Sequence, residues 1–295
     1  MQEFKCIEIG DRPIFQEFLA KDRPRISELT FTNLFMWRYR YRPVWRQYDE
    51  CLLIIMSPVE QEPFGLKPVG TECSMREGLE VILGHLRELS ATPKVARVCR
   101  EFIDKFVDPG TFEIVEDRDN FDYVYLTENL IQLPGNRYHR KKNHVNKFVK
   151  NVQFEYRSLD NDLLCQFLEL QEDWCELKDC GQDTDLLEED RAIYEALKNH
   201  SALGFKGGAI LIDGKVKAFA LGELLNDETA VIHIEKADPE IPGLYAAINQ
   251  LFCANEWSGV KYINREQDLG IPGLRKAKQS YYPDHLVEKF ALFPS

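Results

Sequence analysis

Twice in this chain a polar strand runs through Ile-Pro-Gly-Leu into the start of a helix. The first copy is His233-Ile-Glu-Lys-Ala-Asp-Pro-Glu-Ile-Pro-Gly-Leu-Tyr-Ala-Ala247; the second is Asn264-Arg-Glu-Gln-Asp-Leu-Gly-Ile-Pro-Gly-Leu-Arg-Lys-Ala-Lys278. A strand that empties into a helix start sets side chains and unpaired backbone N–H groups around one mouth, where an anion can be held. The Pro-Gly punctuation recurs at Leu133-Pro-Gly-Asn-Arg137, ahead of a strongly basic run. Pro-Gly is also ordinary turn chemistry, so the reading rests on its position after polar strands.

A length of 295 residues suits two domains, and 44% hydrophobic with 29% charged residues is an ordinary globular balance. No apolar run approaches the roughly 20 residues of a membrane span. The Met-Gln-Glu-Phe-Lys-Cys start has neither the basic nor the apolar region of a secretory signal. The eight cysteines form no Cys-x-x-Cys pair and no His-spaced ligand set. These features lead to the expectation of a cytoplasmic protein with scattered thiols, no structural metal and no integral membrane association. The net charge of −12 is uneven: residues 1–150 hold 23 basic and 23 acidic side chains, and the later residues 14 and 26. Such acidity excludes a general nucleic-acid coat and leaves room for a local basic site.

From Phe154 onward the periodicities predict a strand at 154–157 and a helix after Asp160 with Leu163, Leu164, Phe167, Leu170 and Trp174 at helical spacing. A polar stretch at 181–185 and a helix at 188–199 follow. A three-strand meander comes next (208–212, 216–223 and 229–235), with short turns at Asp213-Gly214 and Asn226-Asp227. The last elements are a helix over 243–257, a strand at 261–264, a short helix at 274–280 and a strand at 286–292. That order resembles the GNAT acyltransferase topology. Residues before 136 repeat it less cleanly, with strands expected at 37–41, 44–48 and 52–56. The expectation is an α/β (α+β) chain of two tandem GNAT-like domains, each a mixed, mostly antiparallel sheet flanked by helices. They would span 1–136 and 151–295, joined by a basic connecting helix at 137–150.

Alternation along 229–235 puts His233 and Glu235 on one face. A half-exposed strand would show the same pattern. Read by position, Glu235 ends the strand where an acyl donor would lie, and a carboxylate there can accept the proton of an attacking amine. Lys236 follows it. The helix beginning at Gly243, Leu244 and Tyr245 has no acidic first turn, so its N–H groups can cradle a pyrophosphate. GNAT coenzyme A loops lead with Gln or Arg, whereas this one carries Glu240.

In Asn264–Gly270, Arg265 can clamp a carboxylate or phosphate, and Asp268 or Glu266 can serve as base. Lys276 and Lys278 can take phosphates. An Arg–carboxylate network fixing a loop is the structural alternative. The run 136–150 carries six Lys or Arg and two His. On a helix Arg137, Arg140, Lys141, Lys142, His144 and Lys147 offer a face for a polyanion such as tRNA, or simply a solvated surface. Arg38-Tyr-Arg-Tyr-Arg42 reads as a strand with basic and aromatic sides.

At Glu28-Leu-Thr-Phe-Thr-Asn-Leu-Phe-Met-Trp-Arg38, Lys141-Lys-Asn-His-Val-Asn-Lys-Phe148, Asn264-Arg-Glu-Gln-Asp-Leu-Gly270 and Arg275-Lys-Ala-Lys278 the chain resembles the family related to the C-terminal domain of phosphatidylglycerol lysyltransferases. That family is akin to the Fem-type peptidyltransferases and is built as two GNAT domains. The resemblance implies aminoacyl or acyl transfer, with aminoacyl-tRNA or an acyl-CoA thioester as donor and an amine or hydroxyl as acceptor. The membrane-spanning region of the lipid-modifying members is absent from this sequence. A non-catalytic tRNA- or anion-binding module and a degenerate GNAT scaffold are the competing readings. The expected site gathers Glu235, Arg265 and Asp268 in one gap.

Overall fold

The structure, a computed structural model, describes residues 3–178, 181 and 183–295. Part of the polar stretch expected at 181–185 lies outside the described residues. The elements begin with β1 (Lys5–Cys6), α1 (Arg12–Asp22), α2 (Phe31–Met36), α3 (Arg38–Tyr41), β2 (Val44–Tyr48) and β3 (Cys51–Met56). Next come β4 (Phe64–Gly65), β5 (Val69–Gly70), α4 (Met75–Leu89), β6 (Val95–Cys99), α5 (Arg100–Phe106), β7 (Phe112–Glu116) and β8 (Asp122–Leu126). The chain continues through α6 (Thr127–Gln132), α7 (His139–Asn151), β9 (Glu155–Ser158), α8 (Leu164–Lys178), α9 (Thr184–Lys198) and α10 (His200–Leu203). It closes with β10 (Lys206–Ile212), β11 (Lys215–Asn226), β12 (Thr229–Ala237), α11 (Leu244–Glu256), β13 (Tyr262–Asn264), α12 (Pro272–Gln279), β14 (His285–Val287) and β15 (Lys289–Pro294).

Two compact units result. One comprises residues 1–122, 267–271 and 286–295; the other comprises 123–266 and 272–285. The linear division expected at 136 and 151 therefore differs from the packing, and its C-terminal strand goes elsewhere. β15 pairs with β6 and β7 in the first sheet, whose order is β1-β2-β3-β4-β6-β15-β7 with β5 beside β3. The second sheet runs β14-β8-β13-β12-β11-β10-β9. The two orders read alike. In each, four strands pair antiparallel, a parallel pair follows (β4–β6 and β12–β13), and the next strand, β15 or β8, is antiparallel again.

In the first unit, α4 buries Met75, Leu79, Ile82, Leu83 and Leu86, a helical stripe that packs on the wholly buried strand β3. Each such side chain contributes about 1.5–3 kcal/mol. The tie that brings β15 home is ionic. Lys289 is fully buried, with Nζ 2.7 Å from Glu28 Oε2 and 2.6 Å from Asp122 Oδ1. Ser27 donates to both Asp122 oxygens, and Arg97 and Gln267 donate to Glu28 Oε1. Burial raises the Glu28 carboxyl, but Lys289 and Arg97 outweigh it and hold its pKa down at about 2. The expected strand 37–41 is instead helical: α3 continues from α2, and Arg42 closes it in the left-handed region. Arg38 Nη1 donates to Phe35 O at 2.9 Å and its guanidinium sits 3.8 Å from the Phe35 ring, so the basic-aromatic strand does not form.

In the second unit, α11 buries Leu244, Ala247, Ile248 and Phe252 against β10, β11 and β12. α8 packs on β11 and β12, where Phe167 stacks on Phe219 at 4.6 Å. Cys6, Cys51, Cys73, Cys99, Cys165 and Cys253 are free thiols, whereas Cys175 is disulfide-bonded, against the expectation of thiols throughout.

Candidate active site

The site begins with a missing partner. β12 and β13 pair only at Thr229–Tyr262, Ala230–Ile263 and Val231–Asn264. β13 then ends, while β12 runs on to Ala237. Beyond Val231 that pairing stops, and His233, Glu235, Arg265 and Glu266 of the two sequence motifs lie in the second unit there.

His233 comes first. Its side chain is 2% exposed, with Nδ1 2.8 Å from Glu266 Oε1 and Nε2 3.0 Å from Glu223 Oε1. Burial works against charging this imidazole, but the two carboxylates prevail and raise its pKa to about 9. Glu266, one of the bases expected from the sequence, is thus engaged by an imidazolium. Its backbone is left-handed at φ 55° and its N–H donates to Asn264 Oδ1 at 2.8 Å.

Glu235 lies two residues on. Arg265 Nη2 donates to Glu235 Oε1 at 3.1 Å and Oε2 at 3.3 Å, and Asn249 Nδ2 donates to Oε2 at 3.0 Å. Burial opposes the guanidinium charge, yet the Glu235 carboxylate holds the Arg265 pKa above its ordinary value. The Arg265 guanidinium lies 4.8 Å from the Tyr281 ring and 5.8 Å from that of Tyr125. Among the described residues, two polar atoms of this cluster, Arg265 Nη1 and Asn249 Oδ1, are buried without a hydrogen-bond partner. A bound group with one acceptor and one donor would satisfy both. Sequence reasoning missed Asn249, although an amide inside the apolar stripe of α11 was a readable signal.

The two lysines around this pair differ from expectation. Lys278 Nζ donates to Arg265 O, and Tyr125 Oη donates to Lys278 O at 2.8 Å, so Lys278 braces the Arg265 backbone. Lys236 is buried, 2.7 Å from Glu189 Oε2 and 3.4 Å from the centroid of the Trp174 ring.

The expected phosphate cradle at Gly243, Leu244 and Tyr245 is differently furnished. Gly243 has φ 90°, and a Cβ there would stand 2.5 Å from His144 O, so glycine is needed for α7 to approach. Leu244 is buried, and Tyr245 Oη accepts from Trp174 Nε1 at 3.1 Å. The preceding loop borders a cleft of 470 Å³ carrying Asp173, Glu176, Asp238 and Glu240. Four carboxylates repel a polyphosphate; the departure at Glu240 is part of a wider acidity.

Cations converge elsewhere in the same unit. A cleft of 400 Å³ is lined by Arg137 from the turn before α7, by Arg140, Lys141 and His144 from the first half of α7, by Lys276 of α12, and by Ser280 and Tyr282. Among the described residues none of the four Lys and Arg has a carboxylate within 4.0 Å. Lys142 and Lys147, expected on the same face, are exposed and do not line it. Arg137 lies 5.1 Å from the Tyr138 ring and 5.6 Å from that of Tyr282. Lys141 Nζ stands 4.0 Å from the Tyr281 ring, so Lys141 and Arg265 are both cationic neighbours of Tyr281. Burial, then repulsion from Arg265, push the Lys141 pKa down to about 8, with Glu235 acting in the opposite sense.

Asp268 is not part of this arrangement. It belongs to the first unit, is fully buried, accepts from Arg118 Nη1 at 3.3 Å and caps Gly270 N at 2.9 Å. The segment 267–271 is drawn into that unit by Gln267, which donates to Ser27 Oγ and Glu28 Oε1, and by Leu269 N–H on Asp119 O. The single gap lined by Glu235, Arg265 and Asp268 is therefore corrected to a Glu235–Arg265–Asn249 cluster.

Among the described residues no helix is long and apolar enough to cross a membrane. A crystal structure of a conserved protein of unknown function from Bacteroides thetaiotaomicron is 34% identical, matches all of both chains and superposes with a TM-score of 0.93. The structure of L-PGS from Bacillus licheniformis is 13% identical over 96% of this chain and 92% of that one, with a TM-score of 0.66, a likeness of fold. An uncharacterized protein of Mycoplasmoides gallisepticum is 23% identical over 184 residues, 60% of this chain and 57% of the relative's length. The fold, two mixed sheets flanked by helices, is shared with the L-PGS structure. A model of the family described as phosphatidylglycerol lysyltransferase, C-terminal, matches residues 21–293, and the chain belongs to that family.

Proposed function

We propose that the chain transfers an aminoacyl or acyl group from an activated donor directly to an amine or hydroxyl. The donor's anionic carrier, tRNA or coenzyme A, sits in the basic cleft, and the reacting carbonyl lies at Arg265. One observation carries this reading: four Lys and Arg side chains with no carboxylate partner among the described residues surround a cleft in a chain of net charge −12, with the Arg265–Glu235 pair beyond the Tyr281 ring. An uncompensated cation cluster is unfavourable unless an anion completes it.

In this mechanism Glu235 is a positioning residue, since both its oxygens are occupied. It fixes the guanidinium, whose unpartnered Nη1 supplies the donor that the carbonyl oxygen needs as negative charge develops. Asn249 Oδ1 receives an N–H of the acyl group or of the attacking amine. Positioning of this kind suits direct attack without a covalent enzyme intermediate: the new C–N or C–O bond forms as the carrier's C–O or C–S bond breaks, and the nucleophile's proton passes to the departing ribose oxygen or thiolate.

The test is a thermal-shift panel of charged tRNA, uncharged tRNA, coenzyme A thioesters and nucleotides, followed by assay of label transfer. A donor that binds the folded state at 100 times its Kd adds about 2.7 kcal/mol, a shift of several degrees. Binding of tRNA with no transfer to any amine or hydroxyl would favour a non-catalytic anion-binding module, the reading favoured by the occupied Glu235 oxygens. Absence of every shift would favour a degenerate scaffold.

A further inference from the structure

We propose that the basic cleft takes up a phosphoryl-bearing anion together with one proton, and that Lys141 is the group that receives it. The proposal rests on the cleft being the carrier site, and deepens that reading by naming its ligand chemistry and its titrating residue. Lys141 is half-buried where Arg137, Arg140 and Lys276 are exposed, its Nζ lies 4.0 Å from the Tyr281 ring that Arg265 also faces, and among the described residues no carboxylate lies within 4.0 Å of it.

The charged and titratable groups around it come from four places. Arg140 and His144 share α7 with Lys141, and Arg137 lies in the turn just before it; Lys276, Tyr281 and Tyr282 come from α12 and the turn after it; Arg265 follows β13; Glu235 lies near the end of β12. Of these only Glu235 is a carboxylate, and it is engaged by Arg265 and Asn249. An empty cleft thus disfavours the ammonium form, in keeping with the Lys141 pKa pushed down to about 8. A phosphoryl group among Arg137, Arg140 and Lys276 reverses the local field and draws the proton back on. The arginines remain charged throughout, so they bind without titrating.

Isothermal titration of the full chain with symmetric dimethyl pyrophosphate, a pyrophosphate whose two acid groups stay ionised from about pH 6 to about pH 9, in buffers of different ionisation enthalpy, reads the proton directly. The expected uptake is about three-quarters of a proton at about pH 8.5, falling to almost none at about pH 6.5. Lys141→Arg keeps the positive charge and should still bind dimethyl pyrophosphate while losing the uptake; Lys141→Met should bind several-fold more weakly and also show none. Coenzyme A and uncharged tRNA as competitors separate the two phosphate sources, and displacement by either supports the site. Uptake that persists in Lys141→Arg, or that grows toward about pH 6.5 as a histidine would make it, overturns the assignment. So does dimethyl pyrophosphate binding that is independent of buffer at about pH 8.5, or no binding at all. Label transfer is measured separately, so loss of transfer with uptake intact defeats only the functional reading. Transfer without proton uptake defeats only the role of Lys141.

Discussion

Arg265 Nη2 and Glu235 Oε1 meet at 3.1 Å, joining the two strand-to-helix motifs past the point where β12 and β13 stop pairing. Their side chains are 14% and 13% exposed, so each is the other's main charge compensation. Removing one partner from such a pair costs about 3–5 kcal/mol, whereas replacing both by apolar residues can be nearly neutral. Glu235→Ala and Arg265→Ala should each show a large drop in urea-melt stability, and Glu235→Leu combined with Arg265→Met a much smaller one. A double variant as unstable as the sum of the singles would show that the pair is not coupled.

His233 makes stability depend on pH. Its pKa is raised from about 6.5 to about 9 on folding, because Glu223 and Glu266 outweigh its burial. A raised pKa gives stability that is fully present below about pH 6.5 and is lost as pH rises through about 9. At roughly 1.4 kcal/mol per unit the loss approaches about 3 kcal/mol. Denaturant melts from about pH 6 to about pH 10 should show this fall, and His233→Gln should flatten it.

Gly243 tests how closely α7 and α11 approach. Its φ of 90° and the 2.5 Å gap from a built Cβ to His144 O mean that Gly243→Ala forces backbone to move. Left-handed strain plus the clash should cost about 1–3 kcal/mol or more. Gly259, where nothing lies within 4 Å, is the control, and Gly259→Ala should change stability by no more than about 0.5 kcal/mol. Equal effects at the two positions would contradict the packing.

Asp268 separates structure from chemistry. Bound to Arg118 and Gly270 N–H in the first unit, it should matter for folding and not for turnover. Asp268→Asn should lower the melting temperature by several degrees, in line with about 1–3 kcal/mol for a buried charged hydrogen bond. Turnover per folded molecule should stay within about twofold, a shift below roughly 0.5 kcal/mol in the barrier.

Much of the second unit was legible because its signals are local. The Asp213-Gly214 turn, the alternation at 229–235 and the apolar stripe from Leu244 to Phe252 each fix an element without reference to distant chain. The destination of β15 was not legible. It depends on Lys289 finding Glu28 and Asp122, partners 261 and 167 residues away, which no periodicity encodes. Arg38–Arg42 misled for a related reason: alternating Arg and Tyr has the strand period, but Arg38 stacking on Phe35 carries the preceding helix through it. At the site, Glu235 and Arg265 were readable from their place at strand ends. The two fates of Glu266 and Asp268 were not, because neighbours in one polar run turn to different units.

The most direct test of the central claim is the kinetics of acyl transfer by two altered proteins. In Arg137→Gln/Arg140→Gln/Lys276→Gln, KM for the donor should rise at least about tenfold with kcat nearly kept, the signature of lost carrier binding. In Arg265→Gln, kcat should fall by about 10²–10³ with KM little changed, as for loss of an oxyanion donor. If both proteins fold and transfer at the native rate with the native KM, neither the basic cleft nor Arg265 takes part in the reaction.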